Sequence, residues 1–276
     1  MTTPTIAIIG AGNMGSSLIG GLIKNGHPLD KLTATDPSSE KRQHLLQTFG
    51  IQALDDNQTA ISQADVVIFA VKPQLFEEVA VPLKPLIAKH KPLVMSIAAG
   101  VRAASIQHWL GDHAAIVRVM PNTPALIGAG ASALFANAEV TAAQHAIAES
   151  IMRAVGITVW VSDEAQMDTV TALSGSGPAY FFLILEALQE GAEELGLPPE
   201  TAQLLAQQTA LGAALMAIDS THSPAELRQH VTSPGGTTER AINVLEENKL
   251  RAIFKKALVA AKQRSEELAD LLGEKQ

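Results

Sequence analysis

A doubly wound parallel α/β domain followed by an all-helical domain is the fold class this sequence predicts. Three observations predict it: strand-like runs alternate with amphipathic stretches up to about residue 162, a glycine-rich turn follows the first run, and strand signals stop beyond Ser162. A length of 276 residues suits two domains, and 47% hydrophobic against 17% charged residues supplies a sizeable core. The formal charge of −8 argues against nucleic acid or an anionic membrane as partner. Having no cysteine removes disulfides, thiolate catalysis, iron–sulfur clusters and cysteine zinc sites. The N-terminal segment has no basic residue before Lys24 and does not resemble a signal peptide, so a cytoplasmic location is expected. Neither long uncharged stretch suits a membrane span: 119–138 contains Pro121 and Pro124, and 201–218 carries Gln203, Gln207 and Gln208.

Taken in order, residues 5–9, 32–35, 66–71, 93–97, 115–119 and 156–161 are apolar or β-branched runs of strand length, with helical patterns between them. Such alternation implies parallel strands covered on both faces, with ligands at their carboxyl ends. The first run enters Gly10-Ala11-Gly12-Asn13-Met14-Gly15 and then a helical pattern, the setting of a Rossmann dinucleotide fingerprint. Gly10 serves the tight turn, Gly12 lets backbone approach a pyrophosphate, Gly15 lets helix and strand pack closely, and the helix start offers N–H groups to the anion. Asp36 ends the second run, about 20 residues further on, where a carboxylate accepts from the adenosine ribose and favours NADH. Ser38, Ser39, Lys41 and Arg42 follow at once and suit a 2′-phosphate, so both cofactors stay open; an aspartate before Pro37 also suits a turn.

Beyond Ser162, alanine, leucine and glutamine dominate, and 180–195, 201–219 and 250–272 are helical by periodicity. The expected domains are 1–163, dinucleotide-binding, and 164–276, helical. The segment Ala179-Tyr180-Phe181-Phe182-Leu183-Ile184-Leu185-Glu186-Ala187-Leu188 is apolar around nearly its whole circumference, which fits burial within its own domain or against a second copy of the chain.

Reducing a carbonyl normally needs a proton donor, yet no lysine lies between Lys91 and Lys249 and the helical half has only His222 and His230. An imine avoids that need, because C=N is basic enough to arrive protonated; positioning and a threonine hydroxyl then suffice. The stretch Val231-Thr232-Ser233-Pro234-Gly235-Gly236-Thr237-Thr238 has the composition of a loop opening a helix, where hydroxyls and N–H groups converge and a substrate carboxylate can be held without arginine. A plain N-cap with a glycine turn has the same composition. No histidine–carboxylate cluster has metal-ligand spacing, so no metal is expected.

The residues at this point resemble those of the pyrroline-5-carboxylate reductase family over nearly the whole chain. Besides Ile9 to Gly15, the motifs in family order are Ala70-Val71-Lys72-Pro73, Ser96-Ile97-Ala98-Ala99-Gly100-Val101, Met120-Pro121-Asn122-Thr123-Pro124, Leu173-Ser174-Gly175-Ser176-Gly177-Pro178-Ala179-Tyr180 and Ser233-Pro234-Gly235-Gly236-Thr237-Thr238. The resemblance implies reduction of the cyclic imine 1-pyrroline-5-carboxylate to L-proline, the last step of proline biosynthesis, with NADPH as cofactor and NADH possible. It implies cofactor contacts at Ile9, Gly10, Ala11, Gly12, Asn13, Met14, Gly15, Asp36, Ser38, Asn57, Ala70, Val71, Lys72 and Pro73, with Ile97, Ala98 and Ala99 beside the nicotinamide. Substrate contacts fall on Glu164, Ser233, Gly236, Thr237 and Thr238, the Thr238 hydroxyl serving catalysis through the ring nitrogen. It further implies a homodimer with intertwined helical domains, each active site completed by the partner, and a larger ring of dimers. The chain departs from the family pattern at Thr221-His222-Ser223-Pro224, at Arg228-Gln229 and at His230, changes that touch cofactor contacts and loop ordering. Two further readings stay open on the residues alone: a reductase of an acyclic imine or a 3-hydroxy acid, and a nucleotide-sensing protein without turnover.

Overall fold

The computed structural model describes residues 3–273, which form two compact units. The first contains the described residues up to Ser176 together with those from Ala261 onward, and the second is Gly177–Ala260.

In the first unit, strands β1 (Ile6–Ile9), β2 (Leu32–Thr35), β3 (Ala53–Leu54), β4 (Val66–Phe69), β5 (Leu93–Ser96), β6 (Ile116–Met120), β7 (Gly130–Ala136) and β8 (Gly156–Trp160) make one sheet. Its order is β3-β2-β1-β4-β5-β6-β7-β8. Neighbours from β3 to β6 are parallel. The strands are nearly continuous apolar runs because both faces are covered. Ile6, Ile8, Val66 and Ile68 enter one core, while Ala7, Ile9, Val67 and Phe69 enter the other. Helices α1 (Asn13–Lys24), α2 (Ser39–Phe49), α3 (Asn57–Ile61), α4 (Phe76–Ala80), α5 (Lys84–His90), α6 (Ala103–Leu110) and α7 (Ala142–Arg153) connect the strands. Leu18, Ile19 and Leu22 of α1 line the first core, whereas Phe76, Ile106 and Trp109 line the second.

Two strands lack a sequence signal. β3 has only two residues, and β7 reads GASALFA, whose small residues carry little β-branched content. The tight turn Thr123–Ile127 reverses the chain, so β7 runs antiparallel to β6 and parallel to β8, departing from an all-parallel sheet. The boundary expected after residue 163 lies just past β8; α8 (Gln166–Val170) and the π-helical turn Thr171–Gly175 follow it in the same compact unit. The end of α13 (Leu250–Gly273) also belongs there, tied by Ser265 Oγ donating to Asp168 at 2.6 Å and by the Arg102–Asp270 ion pair at 2.6 Å.

The second unit comprises α9 (Gly177–Glu194), α10 (Pro199–Asp219), α11 (Pro224–His230), α12 (Thr237–Glu247) and the first turns of α13. α9 packs on α10. Phe181, Phe182 and Leu183 remain 66%, 64% and 64% exposed, so the all-apolar helix is not covered by its own chain. Among the described residues, Gln166–Glu194 is long and apolar enough, by length and composition, to cross a membrane.

Candidate active site

The carboxyl ends of β1, β2, β4 and β5 bring together the cofactor residues expected from sequence. Backbone pairing continues past the strands: Gly10 N donates to Thr35 O at 2.8 Å, Ala70 N to Ile9 O at 2.8 Å and Ile97 N to Phe69 O at 3.1 Å. These bonds align the glycine loop, the Ala70–Pro73 loop and the loop after β5 along one edge. Gly10 adopts φ +104°, and a Cβ there would lie 2.6 Å from Ala70 O. One on Gly15 would lie 2.2 Å from Gly10 O, so a side chain at Gly10 drives the two loops apart and one at Gly15 pushes α1 off its own turn.

Gly12 is the N-cap of α1, no side chain caps that helix end, and its first turn has no acidic residue. A Cβ built on Gly12 would meet nothing within 4 Å. Uncapped amides facing open space, with the positive end of the helix dipole behind them, fit a pyrophosphate. A groove of about 980 Å³ begins at Ala11, Gly12, Asn13, Ser38 and Lys41 and continues along α1 to Lys24. At the other end, Pro73, Ala99 and Gly100 border a smaller cavity of about 250 Å³.

Asp36 is 5% exposed, and its carboxylate turns inward. Oδ2 accepts from Ala11 N at 3.0 Å and from Lys41 Nζ at 3.1 Å, while Oδ1 accepts from Ser38 N at 2.9 Å. Burial pushes its pKa up, but these hydrogen bonds and the lysine charge together hold it below the usual value. Arg42 Nη1 donates to Asp36 O at 2.7 Å and Pro37 O at 2.9 Å, and Ser38 caps α2 by accepting from Lys41 N. Asn57 opens α3, where Asp56 is the cap, and its Oδ1 accepts from Thr35 Oγ1 at 2.6 Å. Asn57 is thereby fixed beside the end of β2.

The expected substrate residues Ser233, Gly236, Thr237 and Thr238 lie in the second unit. Gly235 turns the chain at φ +73°, its N–H donates to Glu239 Oε2 at 2.8 Å, and Gly236 N donates to Ser233 O at 3.0 Å. α12 starts with Gly236 as N-cap and no side-chain cap. The start of α12 therefore presents amides together with the Thr237 and Thr238 hydroxyls. Immediately before it, α11 carries a capping box between Ser223 and Glu226, and the His222 and His230 rings meet edge-on at 5.0 Å. The departures from the family pattern at Ser223 and His230 thus fall on one short helix that leads into the loop.

Glu164 lies in the first unit, with Oε1 accepting from Ala103 N at 2.7 Å and from Arg118 Nη1 at 2.5 Å. Sequence reasoning did not single out Arg118. The available signal was a cation inside the apolar run Ile116-Val117-Arg118-Val119, where a charge requires a partner. Asn122, in a motif without an expected role, donates through Nδ2 to Ser174 O at 3.1 Å and accepts from Ala131 N at 2.9 Å, tying the turn after β6 to the π-helical turn.

Comparison with known proteins adds to this geometry. The model for pyrroline-5-carboxylate reductase dimerisation matches residues 164–268, and that for NADP oxidoreductase coenzyme F420-dependent matches 5–100. A pyrroline-5-carboxylate reductase of Pseudomonas aeruginosa is 52% identical over 274 residues, 99% of this chain and 100% of that protein. The solved pyrroline-5-carboxylate reductase of Coxiella burnetii is 50% identical with a TM-score of 0.94, covering 97% of this chain and 99% of that one. A Plasmodium falciparum pyrroline carboxylate reductase solved with NADP bound is 28% identical with a TM-score of 0.86, covering 98% and 99%. With a dinucleotide-binding edge on one unit, an uncapped threonine-bearing helix start on the other and full-length relatives at this identity, the chain belongs to the pyrroline-5-carboxylate reductase family.

Proposed function

We propose that the chain reduces 1-pyrroline-5-carboxylate to L-proline, the last step of proline biosynthesis. The observation that carries this reading is the start of α12, where no side chain caps the helix and Thr237 and Thr238, following the N-cap Gly236, offer amides and hydroxyls on a helix end. A substrate carboxylate is stabilised there by N–H groups and the helix dipole. Ser233 closes the loop behind it, and the Thr238 hydroxyl orients the ring nitrogen. The imine arrives protonated, so the chain supplies position and preorganised dipoles in place of a strong acid. Ile9 to Gly15 hold the pyrophosphate, Ser38 and Asn57 the adenosine end, and Ala70 to Pro73 with Ile97 to Ala99 the nicotinamide end. When bound, the reduced nicotinamide supplies the hydride.

NADPH is the proposed cofactor, with NADH also accepted. Asp36 already receives donors from Ala11, Ser38 and Lys41, which supports a role in shaping the loop over one in binding the ribose. Lys41 and Ser38 line the adjoining groove and suit a 2′-phosphate. The exposed α9 face and an 800 Å³ groove partly lined by Phe182, Leu183, Gln203 and Gln207 support a homodimer with intertwined helical domains, in which the partner completes each site. Dimers then assemble into a larger ring, in the cytoplasm, where reduced nicotinamide is available.

The test is to mix purified protein with 1-pyrroline-5-carboxylate and follow the loss of reduced-nicotinamide absorbance with NADPH and NADH in parallel. Rapid oxidation, faster with NADPH at low concentration, is expected. Nucleotide binding without oxidation of either cofactor would overturn the reaction.

A further inference from the structure

We propose that Arg118 and Glu164 form a clamp that sets the 97–102 loop against the nicotinamide, both acting as positioning residues for hydride transfer. The proposal rests on the reading that this loop faces the nicotinamide. In the sheet register Arg118 lies opposite Ser96, the last residue before the loop, and Ser96 Oγ accepts from Ala98 N at 3.3 Å. At the far end, Ala103 opens α6, and its N-cap Arg102 contributes no side-chain cap. Glu164, 61 residues away, accepts from the Ala103 amide at 2.7 Å, and the same oxygen pairs with Arg118. One partly buried ion pair therefore joins the strand beside the loop's beginning to the helix at its end. The Arg118 side chain is 8% exposed and that of Glu164 is 26% exposed.

Stability alone does not account for a cation at this position. An ion pair that desolvates Arg118 gains little over an apolar pair of the same shape, and an apolar residue at 118 would continue the Ile116-Val117-Val119 pattern. Charge and direction instead fix the separation of the loop's two ends. The loop's outer side is held independently: Asp270 pairs with Arg102, and Ala269 and Leu272 lie about 3.5 Å from the Cβ position of Gly100.

The clamp is tested in the full-length enzyme with Arg118→Met, Glu164→Gln and the double variant, reading NADPH affinity by fluorescence without turnover. kcat, both KM values and the deuterium isotope effect with 4-deuterated NADPH complete the measurement. Each single variant should weaken NADPH binding about 10-fold, lower kcat and raise the isotope effect, leave the imine KM within about twofold, and be no better than the double. Wild-type NADPH affinity and isotope effect in Arg118→Met, or additive losses in the double, would overturn the clamp. So would a raised imine KM in Glu164→Gln alone, which would place Glu164 on the substrate. Should Arg118→Met fail to fold, Arg118→Lys keeps the charge without the fork; a smaller loss of NADPH affinity supports the clamp and unchanged affinity overturns it. Since affinity is read without turnover, a wild-type enzyme inert towards the imine overturns the reaction and leaves the clamp to be judged on binding.

Discussion

The carboxylate of Asp36 sits where a ribose acceptor is expected, yet its hydrogen bonds run back into the loop that carries it. Replacing it with asparagine removes the charge that partners Lys41 and one of the two acceptor oxygens, so Asp36→Asn should weaken binding of NADPH and NADH alike. A ribose contact would instead make the loss selective for NADH, and fluorescence titration with both cofactors separates the two. The same residue has a pH signature. Its folded pKa lies below the ordinary value of 3.8, so its contribution to stability is fully present above that value and is lost as pH falls through the lower folded one. The stability gap between wild type and Asp36→Asn, followed by urea unfolding, should be constant above about pH 5 and close below 3.8. In the proposed mechanism Thr238 orients the ring nitrogen: if its hydroxyl bond strengthens in the transition state by about 1.5 to 3 kcal/mol, Thr238→Ala lowers turnover roughly 10- to 100-fold. Steady-state kinetics showing wild-type turnover would remove Thr238 from the mechanism.

Among the elements, the strands that the sequence displays most clearly are those buried on both faces, such as Val66–Phe69, where apolar continuity is the signal. Gly130–Ala136 escapes because Gly, Ala and Ser fill a narrow space between neighbours and carry no β-branched pattern, and its antiparallel course depends on a turn built from Pro124 and Gly128. The glycine fingerprint was legible for a related reason: Gly10 and Gly15 answer backbone demands visible at short range. The Arg118–Glu164 pair was not, since 46 residues separate its members and only tertiary folding brings them together. On α11, Ser223 donates its hydroxyl to Glu226 Oε2 at 2.8 Å and accepts from Glu226 N at 3.3 Å, steadying the helix that leads into the 233–236 loop. Ser223→Ala should speed amide exchange over residues 224–230 by roughly 2- to 30-fold, the factor expected for a lost N-cap, and raise the imine KM. Unchanged exchange would show that the capping box does not order this helix.

At the scale of the whole molecule, the helical unit leaves Phe181, Phe182, Leu183, Leu211 and Leu215 more than half exposed, a larger apolar surface than scattered residues account for. The matched dimerisation domain spans 164–268, which includes both helices that carry these side chains. Association then buries what the single chain leaves open, and it couples assembly to activity if the partner completes each site. A charge placed at the middle of that face is costly only in the assembled state, because in a single chain it meets water. Leu183→Glu should therefore yield a folded chain that binds nucleotide through the first unit, elutes with the mass of one chain in light scattering, and has lost imine reduction. A dimer with full activity would exclude the α9 face from the interface. A monomer with full activity would show that one chain contains the complete site and that assembly serves stability alone.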